Sequence, residues 1–196
     1  LTGFSIWASL TTQQAANRMA FSGYLNDQYQ QARFAIGAEE SLERKYRLEP
    51  GPVPLADHTA AATALDTALH NIAQKGTADD QAITKHILLQ NRLYLIDTHR
   101  MFVAVDAGNT ARVISLDHHL VDPVFTSMQQ QVYTEAIDYN HEAFQNVTAL
   151  VAIEQMIFVA TLIVFPIGLI LLTGLLLVIR TYRRKIDEGI RAELAR

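Results

Sequence analysis

Seven histidines, His58, His70, His86, His99, His118, His119 and His141, are the first candidates for chemistry, as metal ligands. Their nearest approach to a cluster is Asp117-His118-His119 with Asp122 close behind. Neighbouring residues on a helix point about 100° apart, so two adjacent histidines do not share a ligand face. No His-Glu-x-x-His pattern occurs and the chain has no cysteine. The reading is therefore no metal and no cofactor, with polar residues near a helix break accounting for the Asp-His-His run. His58 stands apart because it heads an apolar stripe. A satisfied buried histidine is expected there; a pH sensor is the alternative, since imidazole titrates near pH ~6.5.

The second candidate is the charged run AEESLERKYRLEP at 38–50. Glu40 with Arg44 and Glu43 with Arg47 are i,i+4 pairs of favourable polarity, each contributing only ~0.2–0.5 kcal/mol. A solvated charged face explains most of the run. Glu39, however, falls on the apolar stripe and needs a partner if it is buried. Pairing with Arg92 or Arg100 inside a bundle would build a polar cavity for a small charged ligand. Glu39, Arg92, Arg100 and His58 are thus the candidate ligand-binding residues. No nucleophile elbow, phosphate loop, zinc signature or paired-carboxylate motif appears, so these residues are not expected to form an enzyme.

The elements that would position these groups are helical. A first helix is expected from about Thr11 to Leu48, with a stripe of Phe21, Leu25, Tyr29, Ala32, Ala35/Ile36, Leu42 and Tyr46. EPGPVP at 49–54 stops it, because proline cannot continue a helix. A second covers about 55–75, with Ala61/Ala62, Leu65, Leu69 and Ile72 inward. Gly76 is expected to end it in the left-handed conformation, followed by a capping box at Thr77-Ala-Asp-Asp80. The third, about 78–107, is given the stripe Ile83, Ile87, Leu93, Ile96 and Val103, with Gly108 and Asn109 as stop and cap. After a helical turn at about 110–116, Asp122-Pro123 reads as a fresh helix start. The last helix carries Val121, Phe125, Met128, Val132, Ala136, Tyr139, Ala143, Val147 and Leu150 inward. Four amphipathic helices with short connections predict an all-α, up-down-up-down four-helix bundle that continues into a transmembrane helix.

The membrane segment is MIFVATLIVFPIGLILLTGLLLVI, 156–179, uncharged throughout. At ~1.5 Å per residue it spans a hydrocarbon core of ~30 Å. Pro166 and Gly168 are tolerated in such a helix and are expected to bend it. Arg180, Arg183, Arg184 and Lys185 crowd its far side, which by the positive-inside bias places the C-terminus in the cytoplasm and the bundle outside. LTGFSIWASL, 1–10, is uncharged and too short to span. It reads as the outer end of a truncated first transmembrane helix, the absent initiator Met supporting truncation, with a signal-peptide remnant as the rival. The domain reading is accordingly 1–10, then the bundle at 11–155, the membrane helix at 156–179, and a basic flank with a helical connector at 180–196.

Charge narrows the partners. From Arg180 onward there are six basic and three acidic residues, leaving ten basic and seventeen acidic before it. An acidic body excludes nucleic acid as its partner. The order of parts, AEESLERKYRLEP, then RMFVAVDAGNTARVISLDHHLVDPVF, an apolar helix and YRRKIDEGIRAELAR, resembles the four-helix-bundle sensor regions of bacterial transmembrane receptors. It is most similar to those preceding GGDEF diguanylate cyclase or GGDEF-EAL output domains. No output domain lies within these residues, and the tail lacks the proline-bearing start of a HAMP linker; Ile186, Ile190 and Leu194 suggest a helical connector instead.

The resemblance implies a homodimer in the bacterial inner membrane, sensing a small ligand or an extracytoplasmic protein. Its signal would pass through Pro166 to Arg180 as a shift of membrane helices. The rival from another class is a membrane-anchored accessory or scaffold subunit of a larger complex, which a large exposed apolar patch would favour.

Overall fold

The computed structural model describes the backbone of residues 2–194 and the side chains of residues 3–184. Among the described residues the chain is all-helical: α1 (Thr2–Leu48), α2 (Pro52–Lys75), α3 (Ala78–Asp106), the short α4 (Thr110–Leu116) and α5 (Asp122–Leu194). It divides into two compact units, Arg18–Asn146 and a second made of Leu1–Asn17 with Val147–Arg196.

In the unit Arg18–Asn146, cross-helix bonds define a ring of antiparallel neighbours. Asn71 of α2 donates to Gln28 of α1 at 2.9 Å, and His58 of α2 meets the Tyr94 hydroxyl of α3 at 3.5 Å. Gln90 of α3 donates to Ser127 of α5 at 2.9 Å, and Gln30 of α1 closes the ring on the Ala136 carbonyl at 3.0 Å. The order α1-α2-α3-α5 is the up-down-up-down bundle. Asn146 donates to Ser22 at 2.9 Å, so α5 returns to the end of the bundle where α1 entered. Leu25, Tyr29, Ile36, Leu65, Leu69, Ile72, Ile87, Met101, Met128 and Val132 fill the core, and burying each apolar side chain contributes about 1.5–3 kcal/mol.

The helix ends follow local chemistry, with two corrections. Thr77 and Asp80 form the full capping box, and Asn109 accepts from the Arg112 N–H at 3.0 Å. Gly108 takes the left-handed conformation, φ 66. Gly76 does not; its φ is −72 in extended backbone. Glycine is needed there for room, because a Cβ would lie 2.6 Å from the Asp80 Cβ and 2.7 Å from the Ile72 carbonyl oxygen. The expected helix start at Asp122-Pro123 is also replaced. α4 runs into α5 through one π turn, Asp117–Val121, in which the Asp122 N–H reaches back to the Asp117 carbonyl. Widening the turn keeps the chain helical across a proline that has no N–H to donate.

α3 departs from its expected stripe. Leu93, Ile96 and Val103 are exposed, whereas Asp80, Thr84, Ile87, Asn91, Tyr94, Thr98 and Met101 are buried. Ile83 and Ile87 pack inward as expected, and the stripe fails for the C-terminal half of the helix. On α1, Phe21 is exposed and Ser22, Glu39 and Glu43 complete the buried line.

In the second unit, α1 begins at Thr2 rather than near Thr11. Phe4, Ser5 and Ala8 share a small cleft with Ile157, Thr161, Val164 and Phe165. The apolar part of α5 reaches a mean hydropathy of 2.9 and is not buried at all. It is long and apolar enough to cross a membrane, and the helix continues through Pro166. Arg180, Arg183 and Arg184 are exposed. The side chains of Lys185, Ile186, Ile190 and Leu194 lie outside the described residues.

Candidate functional site

A cleft of about 390 Å³ opens between α2 and α3. That is within the ~300–1,000 Å³ range of small-molecule sites. α2 supplies one wall through Thr59, Thr63 and Asp66, residues four and three apart on a single helical face. α3 supplies the other through Leu88, Asn91, Arg92, Leu95 and His99. His58, Ala62, Thr98 and Phe102 lie deeper between them.

Thr59 and Thr63 donate their hydroxyl protons to the carbonyls of Leu55 and Thr59, each at 2.8 Å, so toward the cleft they offer lone pairs. Asp66 adds a carboxylate, with the His70 ring 3.2 Å from it. The opposite wall carries the exposed Arg92 guanidinium, which has no acidic partner among the described residues. Asn91, 3 % exposed, has a carbonyl oxygen that no donor reaches. A buried acceptor left unmet costs about 1–3 kcal/mol.

His58 is buried as expected, edge-on to Phe102 with ring centroids 5.4 Å apart. Burial lowers its pKa to about 4, so the ring is neutral at physiological pH. Its one polar contact among the described residues, to Tyr94 at 3.5 Å, is long. Burial and the nearby Glu39 and Glu43 push the Tyr94 hydroxyl well above its usual value.

The four candidate ligand residues therefore separate. His58 and Arg92 share the cleft. Glu39 and Arg100 do not line it, and the expected ion pair of Glu39 with Arg92 or Arg100 is absent. Arg92 and Arg100 lie on the outer face of α3, where their charge stays hydrated, and Arg100 binds Asp97 at 2.8 Å. Glu39 is fully buried and neither of its oxygens meets a donor. Burial raises its pKa to about 8, so Glu39 sits in the core as a neutral acid at pH 7. The helix-surface pairs did form, Arg44 to Glu40 at 2.5 Å and Arg47 to Glu43 at 2.7 Å. Arg47 also holds Asp117 at 2.6 Å, joining the end of α1 to the π turn. Burial raises Glu43 to about 7 against the pull of Arg47.

A second constellation escaped sequence reading. Asp80, 2 % exposed, accepts from Tyr29 of α1 at 2.9 Å and from Tyr139 of α5 at 2.8 and 2.7 Å. Its second oxygen also takes the Thr77 N–H and hydroxyl, both at 2.7 Å. The two tyrosine rings stack at 4.9 Å. Burial alone would raise the Asp80 pKa, but the bonds from Thr77, Tyr139 and Tyr29 outweigh it and the pKa falls. One carboxylate thereby ties three helices together. The capping box signalled Asp80; nothing local signalled the tyrosines, which are 51 and 59 residues away.

His118 and His119 are exposed in the π turn. Among the described residues no three histidines or carboxylates converge as a metal site.

No protein-family model matches the chain. No curated protein matches it with significance. Among solved structures, the chain is similar to a periplasmic sensor domain of a sensor histidine kinase, with 17% identity and a TM-score of 0.54. The likeness covers 70% of this chain and 95% of that one, and it establishes a shared fold.

Proposed function

We propose that the chain is the sensory input and signal-transmitting region of a bacterial transmembrane receptor. The bundle lies outside the cytoplasmic membrane, residues 156–179 cross it, and the basic flank at Arg180, Arg183, Arg184 and Lys185 lies in the cytoplasm. The carrying observation is α5. It contributes Val121, Phe125, Met128, Val132 and Ala136 to the bundle core and continues without a break into the uncharged segment. The fold shared with a histidine kinase sensor domain supports the sensory part of this reading. A ligand in the α2–α3 cleft would bias the packing of the bundle. α5 would carry the bias through Pro166 to Arg180 and on to an output domain such as a diguanylate cyclase, in a homodimer. The residues themselves catalyse nothing and need no cofactor.

One observation favours the accessory-subunit reading. Leu89, Leu93, Ile96 and Val103 are each more than half exposed along the outer face of α3. The chain has no cysteine, so single introduced cysteines discriminate the readings. Thr63→Cys should react with a membrane-impermeant maleimide in intact spheroplasts, and Thr181→Cys only after permeabilisation; the reverse pattern overturns the orientation. Leu93→Cys, oxidised in native membranes, should yield a dimer of the chain. An adduct to a different polypeptide would favour the accessory subunit.

A further inference from the structure

α3 carries a second apolar line on the side away from the core. Leu89, Leu93, Ile96 and Val103 recur at steps of four, three and seven, with Arg100 at the intervening position. At 100° per residue these five lie in a stripe about 80° wide, opposite the buried Asn91 and Thr98. α3 already buries that opposite face in its own bundle, so intrachain packing does not account for the outer line. Alternating steps of four and three average 3.5 residues, the spacing of a seam against a second helix. The charges beside the stripe differ in sign. One flank holds the exposed Lys85, Arg92 and His99; the other holds Gln90 and Asp97. Arg92 has no acidic partner among the described residues. Asp97 gives Oδ1 to Arg100 of its own chain at 2.8 Å and keeps 14 % of its side chain open to solvent.

We infer that this stripe is the contact between two copies of the chain, a parallel two-stranded seam in which each residue of the line meets its own counterpart. The flanking charges select both the occupant and its direction. In a parallel pair each flank lies beside the opposite flank of the other helix, five residues further along. That sets Arg92 beside the partner's Asp97, twice by symmetry. An antiparallel pair would set like flanks together, Arg92 against basic residues, and the two helices would repel. The membrane imposes the same choice, because two copies anchored with one orientation run their α3 helices parallel. Arg100 interrupts the line. A single polar residue at such a position lowers the stability of a seam but fixes its register, and each Arg100 is held by its own Asp97. The seam is short, and confinement of both copies to one membrane favours it by raising their effective concentration.

This interface rests on the reading of the chain as a homodimeric membrane receptor. With no native cysteine, disulfide yield in native membranes maps the contact. Leu89→Cys, Leu93→Cys and Ile96→Cys should each join to a second copy of itself. The exposed positions Phe34→Cys on α1 and Thr63→Cys on α2 should not. In the Leu93→Cys chain, Arg92→Glu and Asp97→Arg should each lower the yield several-fold, and the double exchange should restore it. Residues five apart are not neighbours on one helix, so restoration reports a bond between copies. Circular dichroism of each variant should match the parent, since both side chains lie on the outer side of α3. Absence of a disulfide at all three α3 positions overturns the seam. So does a yield that neither single exchange lowers, or that the double exchange fails to restore. Dimers through Phe34→Cys or Thr63→Cys alone overturn the seam and leave the homodimeric receptor standing. Adducts of Leu93→Cys only to a different polypeptide overturn both.

Discussion

Buried carboxylates act in two opposite ways in this bundle. Asp80 is charged and fully bonded, and its pKa is lowered. Its contribution to stability is present above the unfolded carboxyl value and is lost as pH falls through the folded one. Tyr139→Phe removes a hydrogen bond to that charge and should cost about 2 kcal/mol in urea unfolding. Glu39 and Glu43 are raised, to about 8 and about 7, from the ordinary 4.5. From pH ~4.5 upward the unfolded chain ionises while the folded chain keeps its protons, so stability falls as pH rises toward those values. The slope reaches at most about 1.4 kcal/mol per pH unit for each group. Glu39→Gln should flatten the fall and raise the unfolding midpoint at pH 8; an unchanged pH profile would show that Glu39 is ionised or hydrated in the fold. The inward position of Glu39 was legible because it lies on a stripe of step three and four. Its lack of a partner was not, because which arginines reach it depends on how α3 is rotated.

At the scale of elements, sequence periodicity located the helices better than it located their faces. The apolar line of α2 was legible because that helix has a single such line; that of α5 is buried from Val121 to Ala136, whereas Val147, expected inward, is 46 % exposed. α3 has two. The outer one, Leu89, Leu93, Ile96 and Val103, is the more apolar, while the inner one includes Thr84, Asn91 and Thr98. Only packing decides between them, and of the inner polar residues Asn91 and Thr98 line the cleft. The π turn was equally hidden, since Asp122-Pro123 suits a helix start as well as a widened turn. Two substitutions test these packing statements. Gly76→Ala brings a Cβ to 2.7 Å from the Ile72 carbonyl and should cost about 1–3 kcal/mol. Met128→Ala, at a position fully buried on α5, should cost about 2–5 kcal/mol. Both are read as shifts of the urea midpoint at constant slope.

For the whole molecule, the sequence made the bundle, its topology and the apolar span of α5 legible, because all three follow from pattern, breakers and charge. The cleft was legible only in part. His58 and Arg92 were named from spacing, whereas Asn91, Asp66 and the threonines emerge once α2 and α3 are set side by side. The central claim is that α5 carries a change in bundle packing through the membrane to whatever follows it. The most direct test fuses residues 1–196 to a cytoplasmic diguanylate cyclase and measures basal output while residues are inserted after Val151. A two- or three-residue insertion rotates the following helix by about 200–300°. It should change output several-fold, with four residues, close to one turn, restoring much of it. Output identical to the parent across the series would contradict transmission through α5.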